Sequence, residues 1–187
     1  LMGKDLFGTA DGVLDGKDDI LGFCVDNENF FLSVGTTRPG LHAYQTQPSG
    51  AGYMALGFHK NIWVIDTHAA NNPSFAHEAL CQRYWRGCQA IAFWRDSKKE
   101  FKQGNNPIQY SKECCMNMHR ASIQSDLENI GLYGEGCQVR NNHTDHETMM
   151  NMIKNTKEVK DTYNASKKEF GYLFSYLLTE TTDWVGI

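Results

Sequence analysis

The chemistry this chain offers concentrates in two short blocks, Met118-His119-Arg120-Ala121-Ser122 and Gly134-Glu135-Gly136-Cys137-Gln138-Val139-Arg140. A thiol is a nucleophile only as thiolate, and an imidazole nearby can supply that state by taking the proton. Cys137 follows Gly136, and a glycine there lets backbone approach a substrate carbonyl closely. The amides of Gly136 and Cys137 would hold a developing oxyanion. His119 is then the general base, and the reaction class is acyl transfer. Arg140 offers a planar fork for a substrate carboxylate. His59, in Gly57-Phe58-His59, is a further candidate for the substrate side of the cleft. Spacing alone does not decide this. A His and a Cys eighteen positions apart prove nothing by spacing, and on that ground alone Cys137 reads as a structural thiol.

The elements that must position these residues read as short strands. Ile20 to Val25 and Phe30 to Val34 flank Asp26-Asn27-Glu28-Asn29, which predicts a hairpin. Gly50 to His59, Asn61 to Asp66, Glu78 to Tyr84 and Gln89 to Trp94 read as further strands, with a short helix over Ala76 to Trp85 as the alternative. Thr36 to Gln47 reads as an irregular loop, and Cys114 to Met118 leads into His119 at a strand end. Phe170 to Thr179 is a last strand. From Thr144 the period changes: Met149, Met150 and Ile153 form a helical stripe. One helix is expected at about Thr144 to Tyr163, capped by Asn142 or Thr144, with Glu147 completing a capping box. The fold class is therefore mainly β (α+β), as one domain over residues 1–187.

Two blocks carry a family resemblance. A histidine block followed by Gly136-Cys137, Val139 and Arg140 resembles the L,D-transpeptidase catalytic domain, whose pattern is His-Gly, a spacer, then Ser/Thr-His-Gly-Cys-Ile/Val-Arg. Arg120 stands where that family has Gly, Gly134-Glu135 where it has Ser/Thr-His, and Gln138 is one extra residue. Asn117-Met118-His119-Arg120-Ala121 resembles more closely a phage-encoded branch of such domains, as do Thr36-Thr37-Arg38-Pro39-Gly40 and Trp94-Arg95-Asp96. The resemblance implies a β-sandwich-like core. It also implies a cysteine enzyme that transfers or hydrolyses peptidoglycan stem peptides, in a virion or host-envelope setting with other virion proteins as partners. A virion module that keeps the fold without the activity is the alternative, favoured by the altered Gly134-Glu135 pair. Glu135 would also raise the thiol pKa by like-charge repulsion.

Composition bounds the rest. Net charge is −4 with no basic cluster, so nucleic-acid binding is not indicated. No apolar run approaches the roughly 20 residues a membrane span needs. The six cysteines form no compact disulfide framework and read as reduced thiols. No cofactor is expected. Metal binding is weakly coded: Gly8 to Asp19 is rich in Asp and Gly but lacks calcium-loop spacing. His143 and His146 would share a helix face, as in a zinc hydrolase, without an identifiable third ligand. Trp63, Trp85 and Trp94 fit core packing better than a saccharide groove. His68 and His77 carry little information.

Overall fold

The structure is a computed structural model that describes residues 2–5, 19–24, 30–100, 102–123 and 131–179. Its strands are β1 (Met2–Asp5), β2 (Asp19–Cys24), β3 (Phe30–Thr36), β4 (Ala51–Met54), β5 (Gly57–His68), β6 (His77–Cys81) and β7 (Ile91–Asp96). Then come β8 (Gln109–Ser111), β9 (Met118–Arg120), β10 (Gln138–Arg140), β11 (Tyr163–Asn164), β12 (Glu169–Phe170) and β13 (Phe174–Thr179). The helices are α1 (Leu41–Thr46), α2 (His143–Asn155) and α3 (Lys157–Lys160), with a 3₁₀ turn at Tyr84–Arg86.

The fold is mainly β, as the strand pattern predicts. Its main sheet closes on itself in the order β1-β13-β5-β6-β9-β10-β3-β2, and a three-stranded sheet β4-β7-β8 stands beside it. The predicted hairpin is β2–β3, antiparallel from Asp19↔Gly35 to Cys24↔Phe30. Its connecting residues lie outside the described ones, as do residues 8–18 of the Asp/Gly-rich stretch. Asp19 itself is buried, and its Oδ2 accepts the Thr37 N–H and hydroxyl at 2.5 Å each.

Closure owes much to β5. The two strands expected at 50–59 and 61–66 are instead a short β4 and a twelve-residue β5 that runs through Asn61. Asn61 takes φ 52°, and the β13–β5 register shifts between Phe174 and Tyr176. A bulge of this kind bends a strand and increases its twist, which lets the sheet curl. An eight-strand barrel is just wide enough to be filled by side chains. Here Leu21, Trp63, Ile65, Leu80, Met118, Phe174 and Tyr176 fill it.

Asn142 caps α2, its side chain accepting the Asp145 N–H at 3.1 Å. Met149, Met150 and Ile153 pack from α2 into the barrel core. The predicted single helix is broken at Thr156, whose backbone is extended and whose hydroxyl donates to the Ile153 carbonyl at 2.9 Å. That side-chain bond offers the backbone an alternative to the helix, and α3 restarts after it. The other departure is α1, which forms inside the expected loop and buries Ala43 and Tyr44 against Tyr53 and Trp94.

Candidate active site

β9 and β10 run parallel, with Gln138 level with Met118 and Val139 level with His119. Side chains alternate along a strand. Cys137 therefore points to the same side as Val139, and so to the same side as His119. Met118, Gln138 and Arg140 point the other way, into the barrel. Cys137 and His119 both line an open cleft of about 600 Å³ on the outer side of the sheet.

The cleft floor is the segment from Cys114 to Asn117, held by Gln82. The buried Gln82 side chain donates to the Ser111 carbonyl at 2.8 Å and accepts the Cys115 N–H at 3.0 Å. Trp63 Nε1 donates to the Met116 carbonyl at 2.7 Å. Cys115 is turned to φ 55° there, so the adjacent Cys114 and Cys115 are not on an extended strand. The wall bearing Cys137 is fixed by the Gly40 N–H, which donates to the Gly134 carbonyl at 2.7 Å. Gly136 takes φ 121°, and a Cβ there would stand 2.8 Å from the Gly52 carbonyl oxygen and 2.9 Å from Met116 Cε. The close approach that requires glycine is thus made by β4 of the protein itself.

His119 is buried. Its Nδ1–H donates to the Arg120 carbonyl at 2.7 Å, and its Nε2 has no partner. The bond fixes the tautomer, leaving the Nε2 lone pair as a base. Burial, then the neighbouring His68, lowers the His119 pKa well below the ordinary value, so the ring is neutral at pH 7. Cys137 is half-buried, and burial pushes its thiol up to about 12. The Asn117 N–H, which donates to Cys137 Sγ at 3.4 Å, opposes that shift. Cys114, Cys115 and Glu135 add to it, so Glu135 acts in the direction its charge predicts but less than burial does. The Cys137 thiol donates to the Cys115 carbonyl at 3.5 Å. The resting pair is a thiol and a neutral imidazole, without a hydrogen bond between them.

Four imidazoles gather around this point. His68 stacks on His119 with ring centroids 3.9 Å apart and planes at 13°. His77 lies 5.3 Å from His68 and 5.9 Å from His119, and His146 lies 5.6 Å from His77. Asn117 reaches His68 Nδ1 with its side-chain amide at 3.1 Å. A second hollow of about 320 Å³ lies across the His68–His119 stack, walled by Phe75, Ala121, Leu132 and Tyr133.

Sequence reasoning missed His68, His77, Asn117 and Gln82. A signal existed for the histidines: they bracket the Asn71-Asn72-Pro73 turn of the β5–β6 hairpin, and its register sets His68 opposite His77. Arg140 and His59 are not brought to the cleft. Arg140 is fully buried inside the barrel, where it donates to the Leu21 carbonyl at 3.0 Å and to Ser33 Oγ. Its guanidinium also contacts Met149 Sδ and the face of Phe31. His59 is buried, with Nε2 against the Ala55 carbonyl at 2.8 Å, and lines a separate hollow beside Gln89 and Tyr110. His146 Nε2–H donates to the Glu78 carbonyl at 2.8 Å rather than facing His143. Among the described residues, no three His, Cys, Asp or Glu side chains converge to hold a metal ion. Cys81, Cys88, Cys114, Cys115 and Cys137 are free thiols. Trp63 and Trp94 are buried and Trp85 is exposed.

Compared with known proteins, the chain matches no family model, no curated protein and no solved structure.

Proposed function

We propose that this chain is a cysteine-dependent acyl-transfer or hydrolytic enzyme with an L,D-transpeptidase-type core. The observation that carries the reading is the parallel β9–β10 register. It turns His119 and Cys137 to one side of the sheet, where both line one open cleft, and the His119 Nε2 is buried and unpartnered. The mechanism is that of a neutral pair. Cys137 Sγ leaves the Cys115 carbonyl and attacks a peptide carbonyl while His119 Nε2 takes its proton. A C–S bond forms, the amide C–N bond breaks, and His119 returns the proton to the departing amine. Water or an acceptor amine then releases the acyl group. Proton transfer accompanies attack, because a thiol near 12 beside a weakly basic imidazole does not ionise beforehand.

Peptidoglycan stem peptides are the substrate class that the two sequence blocks suggest, and phage-directed wall processing is the matching role. Incubating the protein with muropeptides and following products by mass spectrometry tests this. Turnover is expected, and Cys137→Ala and His119→Ala should each abolish it while the thermal transition is kept. Because the two residues act as a unit, the double variant should cost little more than either single one.

A virion module without activity is the second reading. The raised Cys137 pKa and the two hydrogen bonds that engage its sulfur favour it. Failure of wild type to give product, together with a Cys137 that resists thiol reagents at pH 7, would support this reading over the first.

A further inference from the structure

The hydrogen bonds around Asn117 determine which nitrogen of His68 carries its proton. The Gln82 backbone N–H lies 2.9 Å from Asn117 Oδ1. A backbone N–H can only donate, so that amide atom is the oxygen and the other is the NH₂. Asn117 Nδ2 stands 3.1 Å from His68 Nδ1. An NH₂ can only donate, so His68 Nδ1 accepts and carries no hydrogen. The neutral ring is protonated at Nε2. His68 also stays neutral at pH 7, because burial, helped by His77 and Arg83, lowers its pKa to about 4. His119 has the opposite tautomer, with its proton on Nδ1. The two stacked rings thus carry complementary functions: His119 Nε2 accepts and His68 Nε2–H donates. Both rings line the cleft that Cys137 lines, and among the described residues nothing takes the His68 Nε2 hydrogen.

We propose that His68 is a catalytic residue of this site, the side-chain donor that binds the oxyanion formed when Cys137 attacks a carbonyl. The inference rests on the acyl-transfer reading above. Its chemistry is that of an oxyanion hole: a donor fixed before reaction, aimed where negative charge develops. Asn117 fixes it, and Gln82 fixes Asn117. Asn117 therefore acts as a positioning residue, and its backbone N–H to Cys137 Sγ ties the nucleophile to the same device.

The test separates a reaction that develops an oxyanion from one that does not. p-Nitrophenyl acetate acylates a thiol through a tetrahedral oxyanion, giving a thioester and p-nitrophenolate. Iodoacetamide alkylates the same sulfur by displacement of iodide, with no such charge. Each rate at Cys137 is measured by peptide mapping on the full chain. His68→Phe keeps the ring stacked on His119 but removes the donor. It should slow acylation about 10²-fold, as loss of one oxyanion donor does, and leave alkylation nearly unchanged. His68→Gln restores an N–H and should recover most of that loss. Long-range ¹H–¹⁵N correlation spectra of wild type should show His68 Nδ1 as the unprotonated nitrogen. Equal slowing of both reactions, or a His68 proton on Nδ1, would overturn this inference while leaving Cys137 as the nucleophile. A wild-type Cys137 inert to both reagents would instead overturn the acyl-transfer reading, and this role of His68 with it.

Discussion

Arg140 shows at the scale of one residue how far a side chain's role depends on which face of a strand it occupies. Its neighbour Val139 faces out beside His119, so Arg140 faces in. The barrel surrounds it, and burial lowers its pKa to about 10, which still leaves it charged at pH 7. Its partners are a carbonyl, a hydroxyl, methionine sulfurs and an aromatic face. Its Nε has no hydrogen-bond partner, so the buried charge rests on the contacts of the two terminal nitrogens. Arg140→Lys retains the charge but not the fork, and hydrogen bonds to a charged group are worth about 1.5–3 kcal/mol each. Urea unfolding should show a loss of about 2–3 kcal/mol, with substrate affinity unaffected. Weaker substrate binding at unchanged stability would mean that Arg140 acts in the cleft after all.

Among the elements, the loop that carries Cys137 is the most constrained. It is pinned at Gly134 by Gly40, and its Gly136 sits against β4 with a backbone that L side chains rarely adopt. In Gly136→Ala, the new methyl meets the Gly52 carbonyl, which is backbone and cannot swing aside. Strain at such a φ costs of order 1–3 kcal/mol before the clash is counted. The expected result is a lower unfolding midpoint together with a change in Cys137 alkylation rate, because the loop must shift to relieve the contact. A variant with wild-type stability and Cys137 reactivity would show that β4 and the loop do not meet as described. The same reasoning explains why β9 and β10 can be only three residues long. Their position is set by neighbours on both sides and by the Gln82, Trp63 and Gly40 clamps, not by strand length.

For the whole molecule, the buried and half-buried histidines make stability depend on pH. His68 is lowered to about 4 and His146 to about 3, while His59, His77 and His119 are also lowered, in each case by burial first. Above the ordinary histidine pKa of about 6.5 neither state binds these protons, and stability is at its full value. Below it the unfolded chain takes up protons that the native state refuses. Stability therefore falls as pH drops from about 6.5 toward the lowered native values. Each fully refused proton contributes a slope of about 1.4 kcal/mol per pH unit. Urea unfolding at a series of pH values from 7.5 downward should show a level region giving way to a steep decline. His146→Gln, which keeps a donor for the Glu78 carbonyl, should flatten that decline. A profile flat from neutral pH to about pH 4.5 would contradict the burial of this cluster.

Local patterns along the chain determined a good part of this protein. The β2–β3 pairing follows from two apolar runs separated by four polar residues, and α2 from its Met149, Met150, Ile153 stripe and the Asn142 cap. Such signals are legible because side chains a few residues apart share a face in a helix or alternate in a strand. The mainly β character follows from them, and so does the placing of His119 and Cys137 on or beside short strands. Tertiary structure decided what depends on residues far apart in sequence. The sheet closes into a barrel because β5 bends at Asn61 and β13 returns beside β1. Gly136 is glycine because Gly52, some eighty positions upstream, takes the space of its Cβ. His68 and His77 join His119 only because the β5–β6 hairpin lies next to β9. Register between strands is a non-local quantity, and one residue of slip exchanges the two faces. Only the register showed that His119 and Cys137 share a cleft while Arg140 belongs to the core.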